Sequence, residues 1–434
     1  MFVRIDNEPR DYAWGDRGLI ADYRARPASG RPEAELWLGA HPGSPSRLVG
    51  DGADQADLEA WIAAEPERTL GASVAARFAD EGMPRLPFLL KLLAAGGPLS
   101  LQAHPTSEQA RAGFAREEAD GVPVDAYDRN YRDRFHKPEL VVALSETFDA
   151  LSGFRPLAEV AGVVEVLRAA DAASTDPQPG AIELLAARLA GGAGGEAAGG
   201  EPGAGGLEGA VEWLLTDGRG GDTGEAAWLI ERVVALAASE PALGSPYADS
   251  FATVSALAEA YPGDPGIVIS LLLNRVRLRR GESLFLAAGN IHAYLGGLGI
   301  ELMAASDNVL RGGLTPKHID VAELVEVLDF TPMPPPRLEP EHPAPGVASF
   351  RPPVPDFVLH RLDSAGADGA GTDAAPSVAL AGPAIVLAEG GPVRLAGRLG
   401  SIALDRGEAA FVTPDEGGVR LDGPGVAWVA TTGD

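Results

Sequence analysis

The chain contains no cysteine. Disulfides and thiolate-held metals are therefore excluded, and any metal must be held by nitrogen and oxygen. Lysine is nearly as scarce: only Lys91, Lys137 and Lys317 occur, and the remainder of the 35 basic residues are arginine. Positive charge as a whole is short, with 62 acidic residues and a formal net charge of −27. Such a surface repels phosphate backbones, which argues against nucleic acid as a partner. Long apolar runs are also missing. Gly266-Ile-Val-Ile-Ser-Leu-Leu-Leu273, one of the longest, is too short to cross a bilayer. The opening MFVRIDNEPRDYAWGD has no apolar core, so a secretory leader is not expected. These absences lead us to expect a cytoplasmic protein with no membrane partner.

What is present is globular. Hydrophobic residues make up 45% of the chain, enough for a buried core, and 434 residues exceed one ordinary domain. Leu86–Leu93 and Pro98–His104 read as strands, while 56–80 and 106–119 read as amphipathic helices. From Pro156 to Ala260 the texture becomes helical. Leu157, Val160, Val163, Val164 and Leu167 form one stripe, Trp213, Leu214 and Leu215 belong to a second helix, and Trp228, Leu229, Val233, Val234 and Leu236 to a third. Gly191–Gly206 reads as a flexible loop; no Lys-Ser/Thr follows its glycines, so it is not a phosphate cradle. Strand texture is expected again in IVISLLLNRVRL and ESLFLAAGNIHAYLGG, then a helix over Val321–Leu328. The Pro-rich stretch Thr331–Pro355 reads as a linker or edge segment. The last ~80 residues give short strands between Gly, Pro and Asp turns, as in a small all-β domain. Strands on both sides of a helical block imply that the helices are inserted between β modules.

Three segments carry candidate chemistry. In an extended Ser100-Leu-Gln-Ala-His104, Ser100, Gln102 and His104 share one face, either towards solvent or towards a ligand. In DRFHKPEL, Lys137 and Glu139 face together, because Pro138 favours an extended Lys137. A surface ion pair is the plain reading. The rarity of lysine speaks against it, because lysine is a compact charge that can give up its proton and arginine is not. In the third segment, Gly289–Lys317, His292 and Tyr294 share a face and Arg311 precedes two glycines, either an exposed turn or a close approach to a ligand. Gln102, His104, Glu139 and His292 together make a nitrogen–oxygen ligand set for Zn, Mn, Fe, Co or Ni. Lys91, Lys137, Arg311 and Lys317 could supply phosphate charge and a proton carrier. His136 precedes Lys137 and could relay a proton, although a structural role is the plainer reading. His41, His318, His342 and His360 receive no role.

These segments resemble the type I phosphomannose isomerases, zinc enzymes of the cupin class. The matching stretches are YAWGD (Tyr12–Asp16), AELWLGAHPGSPS (Ala34–Ser46), PFLLKLL with PLSLQAHP (Pro87–Pro105), RNYRDRFHKPEL (Arg129–Leu140) and GNIHAYLGGLGIELMAASDNVLRGGLTPKHID (Gly289–Asp320). The resemblance implies one zinc per chain on Gln102, His104, Glu139 and His292. It implies phosphate and sugar contacts at Lys91, Ser100, Lys137, Arg311 and Lys317, further active-site positions at Tyr294 and Glu301, and Trp14 and Glu35 near the cleft. All three lysines fall on such positions.

The fold it implies is mainly β: two cupin-like jelly-roll domains plus an α-helical domain. The catalytic jelly roll would comprise 1–153 with 260–325, the helical insertion 154–259, and the C-terminal β domain 326–434. The implied reaction interconverts mannose 6-phosphate and fructose 6-phosphate through a cis-enediol, in a monomer whose partner is a small phosphosugar. Lys137 is the expected proton carrier, with Glu301 and His136 as rivals, and Arg311, always charged, stabilises the enediolate or phosphate. Another phosphosugar isomerase or epimerase, or a sugar-binding cupin without catalysis, remains open at this point.

Overall fold

The computed structural model describes residues 1–50, 55–191, 204–221, 223–368 and 375–433. Two large antiparallel sheets and one smaller sheet stack in layers, with a helical block against one end. The sheet that carries the site runs Leu273–Arg279, Thr147–Phe154, His292–Ala304, Phe88–Ala95, Glu35–Leu38. Ser283–Leu286 with Glu139–Ala143, and Leu310–Arg311 with Gln102–Ala103, join it along the long strand His292–Ala304. The second large sheet runs Glu341–Ala344, Val347–Phe350, Val358–Asp363, Val426–Thr431, Ala384–Glu389, Ala409–Val412, Phe2–Asp6, Arg47–Val49. Its last two members come from the other end of the chain.

Alternation of side chains along these strands sets what lies inside. Leu36, Leu38, Phe88, Leu90, Leu92, Leu140, Val142, Leu298, Ile300 and Leu302 point into one apolar core. Ile385, Leu387, Phe411, Trp428 and Ala430 of the second sheet close that core from the other side. The second sheet's opposite face packs on a four-stranded sheet through Val386, Val412, Val429, Leu395 and Leu421. The helical block buries Leu167, Leu185, Leu214, Leu229, Val233 and Leu257 together with Leu101, Ala103, Ile291 and Leu310 of the site-bearing sheet.

Several local expectations give way to tertiary context. Gly266–Leu272 is a helix, and strand begins only at Leu273. All seven of its residues are buried, so no periodicity distinguishes helix from strand in the sequence. The strand expected over Pro98–His104 shrinks to Gln102–Ala103. The helix expected over 56–80 is three short ones, Leu58–Ala64, Pro66–Leu70 and Ala72–Arg77; Gly71, at φ +79°, separates the last two. Leu157, expected in an apolar stripe, is exposed at the first turn of Leu157–Ala172. The expected glycine-rich loop falls outside the described residues over 192–203, and a helix, Ala204–Asp217, begins within its last part. Thr331–Pro355 ends in a hairpin, Glu341–Ala344 with Val347–Phe350, at the edge of the second sheet. Among the described residues no helix is long and apolar enough to cross a membrane.

Candidate metal centre and cleft

The face that alternates away from the apolar core is mixed, with charged residues set among apolar ones such as Trp37, Leu89, Leu93, Val141 and Met303. Glu35, Lys91, Glu139 and Glu301 occupy the opposite face of the same strands whose neighbours build the core. Lys91 and Glu301 are directly opposite one another in the ladder, which places their side chains on one side of the sheet. Lys91 Nζ lies 2.9 Å from Glu301 Oε2 and 3.6 Å from Glu35 Oε1. Glu35 also accepts a 2.7 Å hydrogen bond from Trp37 Nε1. Burial alone would discharge Lys91, but the Glu301 and Glu35 carboxylates outweigh it and raise its pKa. Burial likewise pushes the Glu301 carboxyl up, against the pull of Lys91.

Next to this pair, three ligand-type side chains converge. His104 Nε2 lies 3.3 Å from Glu139 Oε1, and His292 Nε2 lies 3.2 Å from Glu139 Oε2. Ligand atoms of His104, Glu139 and His292 all lie within 4.8 Å of one another, and all three residues are buried. Each ring is oriented from behind: His104 Nδ1 meets Asn308 O at 2.7 Å, and His292 Nδ1 meets Asn290 O at 3.0 Å. A carbonyl can only accept, so both Nδ1 atoms donate and both Nε2 atoms face inward. Burial pushes His104 down to about 4, so its ring is neutral at neutral pH. Its Nε2 is buried and has no hydrogen-bond partner. Burial would raise the Glu139 carboxyl, but Lys137 and His104 hold it well below the usual range; Lys137 Nζ stands 3.1 Å from Oε1. Two inward-facing imidazole nitrogens, one of them an orphan, and one carboxylate suit a divalent ion of the zinc type.

Gln102 sits between His292 and Arg311, directly opposite both in neighbouring strands. It lines a cleft of about 660 Å³ with Trp14, Glu35, Lys91, Ser100, Lys137, Arg311 and Lys317. Arg311 and Lys317 differ from the other two lysines in having no ion-pair partner among the described residues. Both pKa values are lowered, first by burial and then by neighbouring positive charge, including Arg132 on each. In a chain so rich in acid, unpaired cations facing one cavity make a site for an anion.

Three expected residues lie elsewhere. Tyr294 is buried beneath the site and burial, helped by Glu301, raises its pKa. Glu301 is behind Lys91 and does not line the cleft. His136 points away towards the second sheet's side of the molecule, with Nε2 2.9 Å from Asp356 Oδ2. Conversely, Trp37, His41 and Asp307 line the cleft although sequence reasoning misses them. His41 Nδ1 accepts from the Gly43 amide at 3.1 Å, which turns Nε2 towards Asp307 Oδ1 at 3.4 Å. Asn308 is missed as well. Its side chain binds the 132–135 segment while its carbonyl orients His104. The sequence signal for all of these is their place inside segments already singled out, AELWLGAHPGSPS and SDNVLRGG.

Comparison with known proteins agrees with this arrangement. Residues 2–157 match the family description "Phosphomannose isomerase type I, catalytic domain". The chain is 36% identical over 426 residues to mannose-6-phosphate isomerase of Escherichia coli (strain K12), covering 97% of each. It is 32% identical over 380 residues to the Homo sapiens enzyme of that name, covering 82% of this chain and 81% of the other. A crystal structure of mannose 6-phosphate isomerase from Salmonella typhimurium, bound to substrate (fructose 6-phosphate) and zinc, superposes with a TM-score of 0.81 at 32% identity over the full length of both chains. From the first strand to the last, the chain belongs to the type I phosphomannose isomerase family.

Proposed function

We propose that this protein interconverts mannose 6-phosphate and fructose 6-phosphate with one zinc ion held by Gln102, His104, Glu139 and His292. The observation that carries the reading is the inward-facing His104–Glu139–His292 group beside a cleft that also presents unpaired Arg311 and Lys317. Zinc bound there would polarise substrate oxygens and stabilise negative charge as the C2 proton leaves. Arg311 and Lys317 anchor the phosphate, so that binding energy from the distant end of the substrate orients C1 and C2. Lys137, on the cleft wall, carries the proton between the two carbons; its amine can release a proton, as a guanidinium cannot. Lys91, fixed by Glu301 and Glu35, and Ser100 contact sugar hydroxyls, with Trp14 closing the cleft wall. Tyr294 and Glu301 act from beneath by holding that floor in place, and His136 acts through its contact with Asp356.

The same reading extends to architecture and context. The two large sheets belong to cupin-like jelly rolls, the catalytic one drawn chiefly from 1–153 and 260–325 and the C-terminal one from 326–434, with 154–259 inserted. Phe2–Asp6 and Arg47–Val49 cross into the C-terminal sheet. We place the protein in the cytoplasm; one chain supplies every proposed ligand and anchor, so a monomer suffices for the activity.

A coupled assay with mannose 6-phosphate, run before and after chelation and with zinc restored, tests the function. Turnover that disappears and returns is expected. Folded, zinc-loaded protein with no turnover would overturn the reading, and a phosphosugar panel would then identify what the site accepts instead.

A further inference from the structure

The two unpaired cations of the cleft are joined by a short and unusual piece of backbone. Between Arg311 and Lys317 the chain passes through Gly313 at φ +126° and Leu314 at φ +55°. A left-handed leucine is disfavoured and persists only where its surroundings over-determine it. Here the surroundings come from the end of the helical block. Asp264, in the turn between Ala248–Ala260 and Gly266–Leu272, accepts the Leu314 amide at 2.8 Å and the Gly266 amide at 2.7 Å, both on Oδ1. Its Oδ2 lies 3.8 Å from Arg219 Nη1, and Arg219 Nη2 donates to Thr315 O at 3.2 Å. A Cβ on Gly313 would stand 2.9 Å from both Asp264 Oδ1 and the Gly266 Cα, so the turn and the segment are in direct contact. On the other side the segment is held by the sheet, through Leu101 N to Gly313 O at 3.1 Å and Gly312 N to Leu101 O at 2.9 Å.

We propose that Asp264 is a positioning residue for the substrate phosphate: by fixing the backbone of 313–315 it sets where Arg311 and Lys317 stand in the cleft. This rests on the reading of those two cations as the phosphate anchor. Asp264 lies outside the cleft lining and touches no reacting atom, so its effect passes through the segment it holds. It gives the turn that follows the helical insertion a purpose: with Arg219 of the insertion behind it, this turn is the fixed wall against which the anion-binding segment is braced. The charge of Asp264 is secondary. Both amide bonds go to one oxygen, so an asparagine that keeps this acceptor should keep the function.

The test uses the full-length, zinc-loaded protein and four variants: Asp264→Ala, Asp264→Asn, Arg219→Met and Lys317→Met. KM and kcat for mannose 6-phosphate, inhibition by inorganic phosphate, and zinc content are measured for each. Asp264→Ala is expected to raise KM and the phosphate inhibition constant about tenfold, with kcat within about threefold and zinc unchanged, as loss of uniform binding energy requires. Asp264→Asn should remain near the parent, and Arg219→Met should show a smaller rise in the same two constants. If Lys317→Met raises both constants and Asp264→Ala does not, the positioning role is overturned while the phosphate anchor stands. If Lys317→Met changes neither, the anchor reading itself fails. Loss of zinc or of kcat at unchanged KM in Asp264→Ala would reduce Asp264 to a general structural role and also overturn the proposal. Should that variant not fold, unchanged constants in Arg219→Met would overturn it instead.

Discussion

The two large sheets share a core but treat charge in opposite ways. In the sheet that carries the site, one face is apolar and the other sets Glu35, Lys91, Glu139 and Glu301 among apolar neighbours such as Trp37, Leu89, Leu93 and Val141. In the C-terminal sheet both faces of Ala384–Glu389 and Ala409–Val412 are apolar, one towards the shared core and one towards the four-stranded sheet. Glu389 stands at the end of the first of these strands, where it accepts from Trp428 Nε1 at 2.6 Å. Burying a charge is costly unless it is paired. One sheet therefore carries a stability burden because it has chemistry to do, and the other is free to be a plain hydrophobic layer.

That contrast can be broken or sharpened experimentally, beginning with the largest effect. Chelation should abolish turnover while leaving the C-terminal sheet folded, read by activity together with circular dichroism before and after zinc is restored. Lys137→Arg should keep zinc and fold but lose about 10²-fold or more in kcat, the scale of a proton-transfer group; near-parental turnover would remove Lys137 from that role. Lys91→Met leaves Glu301 and Glu35 buried without their cation and should cost about 3–5 kcal/mol in denaturant unfolding. The double variant Lys91→Met with Glu301→Leu should regain much of that stability without regaining activity. On the other sheet, Leu387→Ala should cost about 2–5 kcal/mol as a core cavity, with kcat per folded molecule unchanged. The smallest effect is at the rim. Asp6 is paired with Arg24, and although burial would raise its pKa, Arg24 lowers it. A depressed carboxylate stabilises the fold above its unfolded pKa of about 4 and loses that contribution as pH falls through its folded value. Asp6→Asn should therefore weaken the protein slightly at neutral pH, and the difference from the parent should vanish at strongly acid pH.

The site is more legible in the sequence than the fold around it. Ser107–Ala119 and Val321–Val327 form helices where their polar and apolar spacing puts them, and each begins with a side-chain cap from Thr106 or Asp320. Gly266–Leu272 reads as strand because its residues are buried on every side, which erases the pattern on which such reading depends. Lys91, Lys137 and Lys317 stand out by rarity alone, and all three line the cleft. Asp264 and His41 do not. Their importance lies in what they touch across the fold, in one case the amide of a residue fifty positions away. The destination of Phe2–Asp6 is equally hidden, because no local pattern reports a partner at the far end of the chain.

That last pairing has a consequence for how the protein is made. Phe2 lies opposite Val412 and Ile5 opposite Ala409. During synthesis Phe2–Asp6 must therefore wait for this partner until the whole intervening chain, helical block included, has emerged. Until then only its opposite edge is paired, by Arg47–Val49, and a nascent chain halted short of residue 409 would present the other edge unpaired to any neighbour or chaperone.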